Sequence, residues 1–98
     1  MVQLDRELLG QFAAKYIWWK TPGQALQFPD RVIAQVMDIG DYDDVQKLVA
    51  QVGDEHLQQV LIHAEIGQFS ERSWAYWHYR LGLAAPGKVP PMPQRRIA

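Results

Sequence analysis

Apolar residues recur along this chain at spacings of three and four, and no stretch sustains the strict alternation of a half-buried strand. Over residues 4–19, Leu4, Leu8, Phe12 and Ala13 fall on one side of a helix, continued by Tyr16 or Ile17. Gly10 and the run Tyr16-Ile17-Trp18-Trp19 weaken that helix, because glycine costs helix stability and β-branched and aromatic side chains suit extended backbone. Thr21-Pro22 reads as an N-cap followed by proline at the first helical position, opening one short turn over residues 23–27. Phe28-Pro29 ends that turn, since a residue before proline avoids the α region. A helix over 30–39 turns Val32, Ile33, Val36 and Met37 inward, with Ile39 closing it. Tyr42–Val52 buries Val45, Leu48, Val49 and Val52, and Glu55–Glu65 carries Leu57, Val60, Leu61 and Ala64 on its apolar stripe.

Glycine and aspartate punctuate this pattern. Gly40 suits the position after a helix and Asp41 caps the next; Gly53 and Asp54 repeat the device. After a loop at 66–69, Ser70 caps a last helix, Glu71–Leu83, whose acidic first residue suits the positive end of the helix dipole. From Ala84 the composition changes. Four of the six prolines, at 86, 90, 91 and 93, and three of the ten cations lie in APGKVPPMPQRRIA, which favours an extended, polyproline-like path. The pattern therefore predicts an all-α protein: a compact bundle of about five short helices as one domain over residues 1–83, then an extended proline-rich basic tail over 84–98.

Composition sharpens the picture by exclusion. A chain of 98 residues suffices for one modest core and not for two domains. The absence of cysteine removes disulfides, thiol nucleophiles and Cys-ligated metals. No apolar run approaches the roughly 20 residues of a membrane span, and MVQLDREL lacks the basic-then-apolar pattern of a leader, so a cytoplasmic chain without membrane partners is expected. Ten Lys and Arg against eleven Asp and Glu give a net charge of −1, which argues against nucleic-acid binding by bulk charge. The charges are nonetheless segregated. Residues 30–65 hold two cations against eight acids, whereas 66–98 hold five cations against one acid. Most of the acids fall at helix starts, where they satisfy free N–H groups and the dipole.

Candidate chemistry is sparse. The pair of helices joined through Gly53 resembles a helix–turn–helix, but DEHLQQVLIHAE carries no Lys or Arg and begins with two carboxylates. A recognition helix would present that end to phosphates. Gln58, Gln59, His56 and His63 have the hydrogen-bonding chemistry to meet bases, with no cation to hold them there. Arg72 and Arg80 with the Arg95-Arg96 tail make a better nucleic-acid candidate, with aromatics able to stack on single-stranded bases. His56 and His63 lie two helical turns apart, His78 sits among aromatics, and no metal-binding spacing occurs. Ser70 and Ser73 are the only serines, and no glycine-rich phosphate loop is present. No catalytic, cofactor-binding or metal-ligating residue is expected, and the chain reads as a non-enzyme.

The unusual feature is the aromatic content: four Trp, four Tyr and three Phe, concentrated near the two ends of the chain. In FSERSWAYWHYRLGL, helical spacing puts Trp74, Trp77, His78 and Leu81 on one stripe and Tyr76, Tyr79, Arg80 and Leu83 on another. A helix apolar on both stripes needs burial on both. Tyr and Arg beside Trp is also the composition of interface anchors. Candidate partner-binding residues are therefore Tyr76, Tyr79 and Arg80, with Trp18 and Trp19 nearby and Arg95 and Arg96 on the tail.

The stretches Arg31–Val45 (RVIAQVMDIGDYDDV), Gly53–Glu65 and Ser70–Trp77, with its S-x-R-S-W-x-x-W pattern, resemble a group of small bacterial all-α proteins of unassigned function. The resemblance covers about residues 16–83. Genes of that group often lie beside abortive-infection-type nucleotidyltransferase toxins, so the resemblance implies an antitoxin-like protein that masks such an enzyme. It transfers no catalytic residue. The alternatives from the residues are a small nucleic-acid-binding regulator using the basic C-terminal third, or a structural homodimer.

Overall fold

A computed structural model describes residues 6–17 and 22–93. They form six helices and no strand among the described residues: α1 (Arg6–Tyr16), α2 (Pro22–Ala25), α3 (Pro29–Ile39), α4 (Tyr42–Val52), α5 (Asp54–Ile62) and α6 (Glu71–Arg80). The described residues are all-helical, as the periodicity predicts. The count of six against about five reflects α2, the single turn started by Pro22. Among the described residues no helix is long and apolar enough to cross a membrane.

Helix α3 is the centre of the bundle and meets each of the other five. Its sequence explains why. Val32, Ile33, Ala34, Val36 and Met37 are all buried, so apolar side chains surround most of its circumference. Around it pack Phe12 and Ala13 from α1, Leu48 and Val52 from α4, Leu57 and Leu61 from α5, and Trp77 from α6. Full burial of side chains this size contributes roughly 1.5–3 kcal/mol each, which is what offsets the entropy of ordering so short a chain.

The helix ends show where local chemistry behaves as expected and where it does not. Asp41 caps α4, its carboxylate accepting from the Asp44 N–H at 2.8 Å. Ser70 caps α6 by accepting from the Ser73 N–H at 3.2 Å. Asp54 is not a cap. Gly53 holds that position, at φ 86° and ψ 157°, and Asp54 is the first helical residue. This conformation is open essentially to glycine alone, and it lets α4 end and α5 begin with no loop between them. Gly40 follows α3, as expected, without a left-handed backbone. Its backbone is extended (φ −64°, ψ 147°), and a Cβ there would lie 2.9 Å from Val36 Cγ1.

Two helices stop short of their apolar pattern, and a third is described over only part of it. Helix α1 covers 6–16 within the expected 4–19, and Trp18 and Trp19 lie outside the described residues. Helix α5 stops at Ile62 rather than Glu65. There the His63 ring Nδ1 donates to the Gln59 carbonyl at 2.9 Å, and Glu65 leaves the helix axis to meet Arg31 at 3.2 Å. Helix α6 stops at Arg80 rather than Leu83. Gly82 takes φ 71°, its N–H bonds the Tyr79 carbonyl, and the Leu83 N–H bonds the His78 carbonyl at 2.9 Å. That pair of bonds is the Schellman motif, which ends a helix at a left-handed glycine.

Gly53→Ala is expected to lower stability by about 1–3 kcal/mol, since the joint must either strain or unwind one helix end. Urea unfolding followed by circular dichroism measures this, and an unchanged midpoint would show that the α4–α5 joint tolerates another backbone.

Candidate functional site

The candidate site is built on α6, and its orientation is fixed by polar contacts with the end of α3. The Ser70 N–H donates to Asp38 Oδ1 at 2.9 Å, the Ser73 hydroxyl to the Asp38 carbonyl at 3.0 Å, and the Trp77 indole N–H to the Met37 carbonyl at 2.8 Å. The last carbonyls of a helix have no partner within it and are costly to bury unpaired. α6 supplies those partners, and this sets its rotation about its own axis.

With that rotation, the two stripes read from the sequence separate, except that Leu83 of the second stripe is partly buried against the core. Trp74, Trp77, His78 and Leu81 are buried, and Tyr76, Tyr79 and Arg80 are exposed. Buried His78 donates from Nδ1 to the Trp74 carbonyl at 2.7 Å, and its ring packs against Trp74 with centroids 4.3 Å apart. Arg80 donates to the Tyr76 hydroxyl at 2.8 Å and lies 5.2 Å from the Trp77 ring centroid. Tyr76 meets the Trp77 ring edge-on at 5.4 Å. The exposed guanidinium and phenol thus form a preassembled cluster over the buried indole, held by cation–π and edge-to-face attraction.

The cluster borders a groove of about 220 Å³ between α6 and the α3–α4 turn, lined among others by Met37, Val45, Tyr42 and Gln46. Tyr42 is 77% exposed at its rim. The sequence reading took no account of Tyr42 as a site residue. Its signal was its position, the first residue after the Gly40-Asp41 turn, where a large apolar ring has no inward direction. Tyr79 does not share this groove. It lies on the adjacent side of α6, against the C-terminal segment. Trp18, Trp19, Arg95 and Arg96 lie outside the described residues.

Other polar residues singled out from the sequence are engaged within the chain. Gln58 donates to the Leu81 carbonyl at 2.8 Å, and His56 Nε2 meets Asp30 at 2.9 Å. Among the described residues, no group of three His, Asp or Glu side chains is gathered where it could hold a metal ion.

A second polar cluster ties α1 to the start of α4. Lys15 Nζ contacts Asp41 Oδ2 at 2.8 Å and Asp44 Oδ2 at 2.7 Å, and the Tyr16 hydroxyl donates to Asp44 Oδ2 at 2.5 Å. The same hydroxyl accepts from the Asp41 N–H at 3.1 Å. The Lys15 ammonium holds both carboxyls below the ordinary carboxylate value, helped at Asp41 by the Asp44 N–H and at Asp44 by the Tyr16 hydroxyl. In turn Asp41, then Asp44, raise the Lys15 value, while burial and then the Asp44 bond raise that of Tyr16.

Compared with known proteins, the chain matches no family model, no curated protein and no solved structure.

Two predictions follow from these contacts. Trp77→Phe removes the donor from the buried Met37 carbonyl and should cost about 1–3 kcal/mol, read as a lowered urea midpoint. Asp44→Ala leaves the buried Tyr16 hydroxyl without its acceptor and should cost about 1–3 kcal/mol near neutral pH. The cluster also sets a pH window. Carboxyls with lowered values stabilise fully above their ordinary 3.8 and lose that contribution as pH falls through the folded values. Lys15 and Tyr16, with raised values, contribute fully below their ordinary 10.5 and 10.0 and lose it as pH rises. Stability measured from pH 2 to 7 should therefore fall less steeply with acid in Asp44→Ala than in the parent. Parallel curves would show that the cluster does not govern acid stability.

Proposed function

We propose that the chain is a non-catalytic protein-interaction module that docks through the outer side of α6. The observation that carries this reading is the preassembled cluster of Arg80 and Tyr76 over buried Trp77, beside a groove rimmed by exposed Tyr42. Docked surfaces draw most of their affinity from a few aromatic and arginine anchors. Here the anchors are already ordered by intramolecular contacts, so little side-chain entropy remains to be lost on binding. Tyr79 lies on the adjacent side of α6, turned to the returning segment.

The resemblance to antitoxin-like bacterial proteins points to a cytoplasmic setting and to a nucleotidyltransferase-type toxin as the partner, with masking as the mechanism. In this reading residues 1–83 are the docking domain and 84–98 a proline-rich arm, whose part up to Met92 turns back along α6. Arg95 and Arg96 on that arm suit the acidic, metal-binding active site that such a transferase needs. Trp18 and Trp19 join the proposed surface through their aromatic character. No cofactor is required.

The test is calorimetric titration of the full chain into a purified nucleotidyltransferase-type toxin, alongside Tyr76→Ala/Arg80→Ala and a chain ending at Pro93. The parent should bind, the double variant should lose about tenfold or more, and the shortened chain should also weaken. Equal affinity of parent and double variant would overturn the docking surface. Unchanged affinity of the shortened chain would remove Arg95 and Arg96 from it. Steeply salt-dependent binding to oligonucleotides with no toxin binding would favour the nucleic-acid alternative.

A further inference from the structure

After α6 the chain reverses direction. The Lys88 N–H bonds the Ala85 carbonyl at 2.9 Å, Pro86 stands second in the turn, and Gly87 third with φ 76°. These are the features of a type II turn, in which the third residue must take positive φ. The segment that follows runs back along α6. The Trp74 indole N–H donates to the Pro90 carbonyl at 2.7 Å, the Gly87 N–H to the Tyr79 hydroxyl at 3.3 Å, and Val89 and Met92 pack partly buried against the core.

We propose that this side of α6, formed by Trp74, Ala75 and Tyr79, is a recognition groove for proline-rich peptides, occupied in cis by the chain's own residues 88–92 and open to a proline-rich segment of a partner protein. The proposal concerns a different side of α6 from the Tyr76–Arg80 surface and does not depend on the toxin reading.

Four observations carry it. The first is donor chemistry. Prolines bring no N–H, so a proline-rich segment presents carbonyls and ring faces, and the groove answers with an indole N–H aimed at one carbonyl and a flat aromatic floor. The second is that the resident segment, K-V-P-P-M, shows directly what chemistry the groove accepts. The third is looseness. A cleft of about 470 Å³ remains between α6 and this segment, and Pro90 and Pro91 stay exposed, so the resident peptide neither fills nor seals its site. The fourth is charge. Glu71 lines the cleft and gives it a negative wall, which fits a proline-rich peptide carrying a basic residue. A polyproline segment is extended before it binds, so exchanging one for another costs little ordering entropy. The cis segment is then a built-in competitor that sets a threshold for the partner.

The experiment uses full-length chains and a fluorescein-labelled peptide, PGKVPPMPQRR, read by fluorescence anisotropy. Gly87→Val strains the turn that folds the resident segment back and should raise affinity for the peptide at least tenfold over the parent. Pro90→Ala/Pro91→Ala in the chain is the second variant with the same expectation, and circular dichroism checks that each keeps its helices. Adding Trp74→Phe to Gly87→Val retains a ring and removes the donor, and should reverse the gain. A peptide with both adjacent prolines replaced by alanine should bind at least fivefold more weakly. The proposal is overturned if neither loosened chain binds more tightly than the parent, or if Trp74→Phe leaves the affinity unchanged. It is also overturned if the parent sediments as a dimer that the peptide dissociates, since the occupant would then be a second copy of this chain. No toxin is present in this assay and Tyr76 and Arg80 are intact, so its failure is separable from that of the docking reading.

Discussion

The rest of the molecule depends on the end of α3. The carbonyls of Met37 and Asp38 in its last turn are covered by α6, and covered carbonyls need donors. The Gly40 N–H takes Val36 at 2.7 Å, the Trp77 indole takes Met37, and the Ser73 hydroxyl takes Asp38. Only a large side chain with a donor at its far end can fill the core and reach a carbonyl on the neighbouring helix. Tryptophan meets both demands. Because Trp77 and Ser73 are one turn apart on α6, satisfying both carbonyls leaves that helix no freedom to roll. Tyr76 and Arg80 are exposed for the same reason that Met37 is satisfied. The surface proposed to bind a partner is therefore a consequence of how the core resolves its buried polar groups.

A second constraint works at the start of α4. The described backbones of α1 and α4 do not come close, and the link between them is made by side chains. Asp41 and Asp44 do double duty: Asp41 caps α4, and both carboxylates receive Lys15 from α1. An isolated exposed ion pair contributes little. Here the Tyr16 hydroxyl, itself buried, bridges the Asp44 carboxylate and the Asp41 N–H, so losing the Asp44 carboxylate leaves a buried hydroxyl without its acceptor while Lys15 keeps Asp41.

Much of this fold was legible in the sequence. The period of the apolar residues located the helices, and the 3.6-residue geometry of 74–83 separated Trp74, Trp77, His78 and Leu81 from Tyr76, Tyr79 and Arg80 before any contact was known. What escaped was tertiary or conformational. Asp54 looks like a cap by residue type, yet Gly53 alone can take the backbone that joins α4 to α5 directly. Gly82 lay inside an apolar pattern that continued to Leu83, and a periodicity count does not see a stop that depends on positive φ. Tyr42 reads as a helix residue in its own segment. Only the packing of the α3–α4 turn beside α6 brings it to Arg80. The Pro86-Gly87 pair carried a turn signal that composition, read as a run of prolines, passes over.

One helix thus serves three neighbours. Trp77 and Leu81 face the core, Tyr76 and Arg80 face the groove beside Tyr42, and Glu71, Ala75 and Tyr79 face the returning segment, with Trp74 contributing to both core and segment. A ten-residue helix has room for this because aromatic side chains cover large areas from few positions, and because Trp and Tyr each carry a polar atom that can be spent away from the ring. The two outer sides adjoin. Arg80 and Tyr79 are consecutive, and Trp74 and Trp77 share the same inner packing. Occupancy of the segment-facing side and docking at Tyr76–Arg80 are then two demands on one rigid element. The rigidity comes from the carbonyls of α3: loosen Trp77, and both outer faces lose the fixed register that makes them surfaces at all.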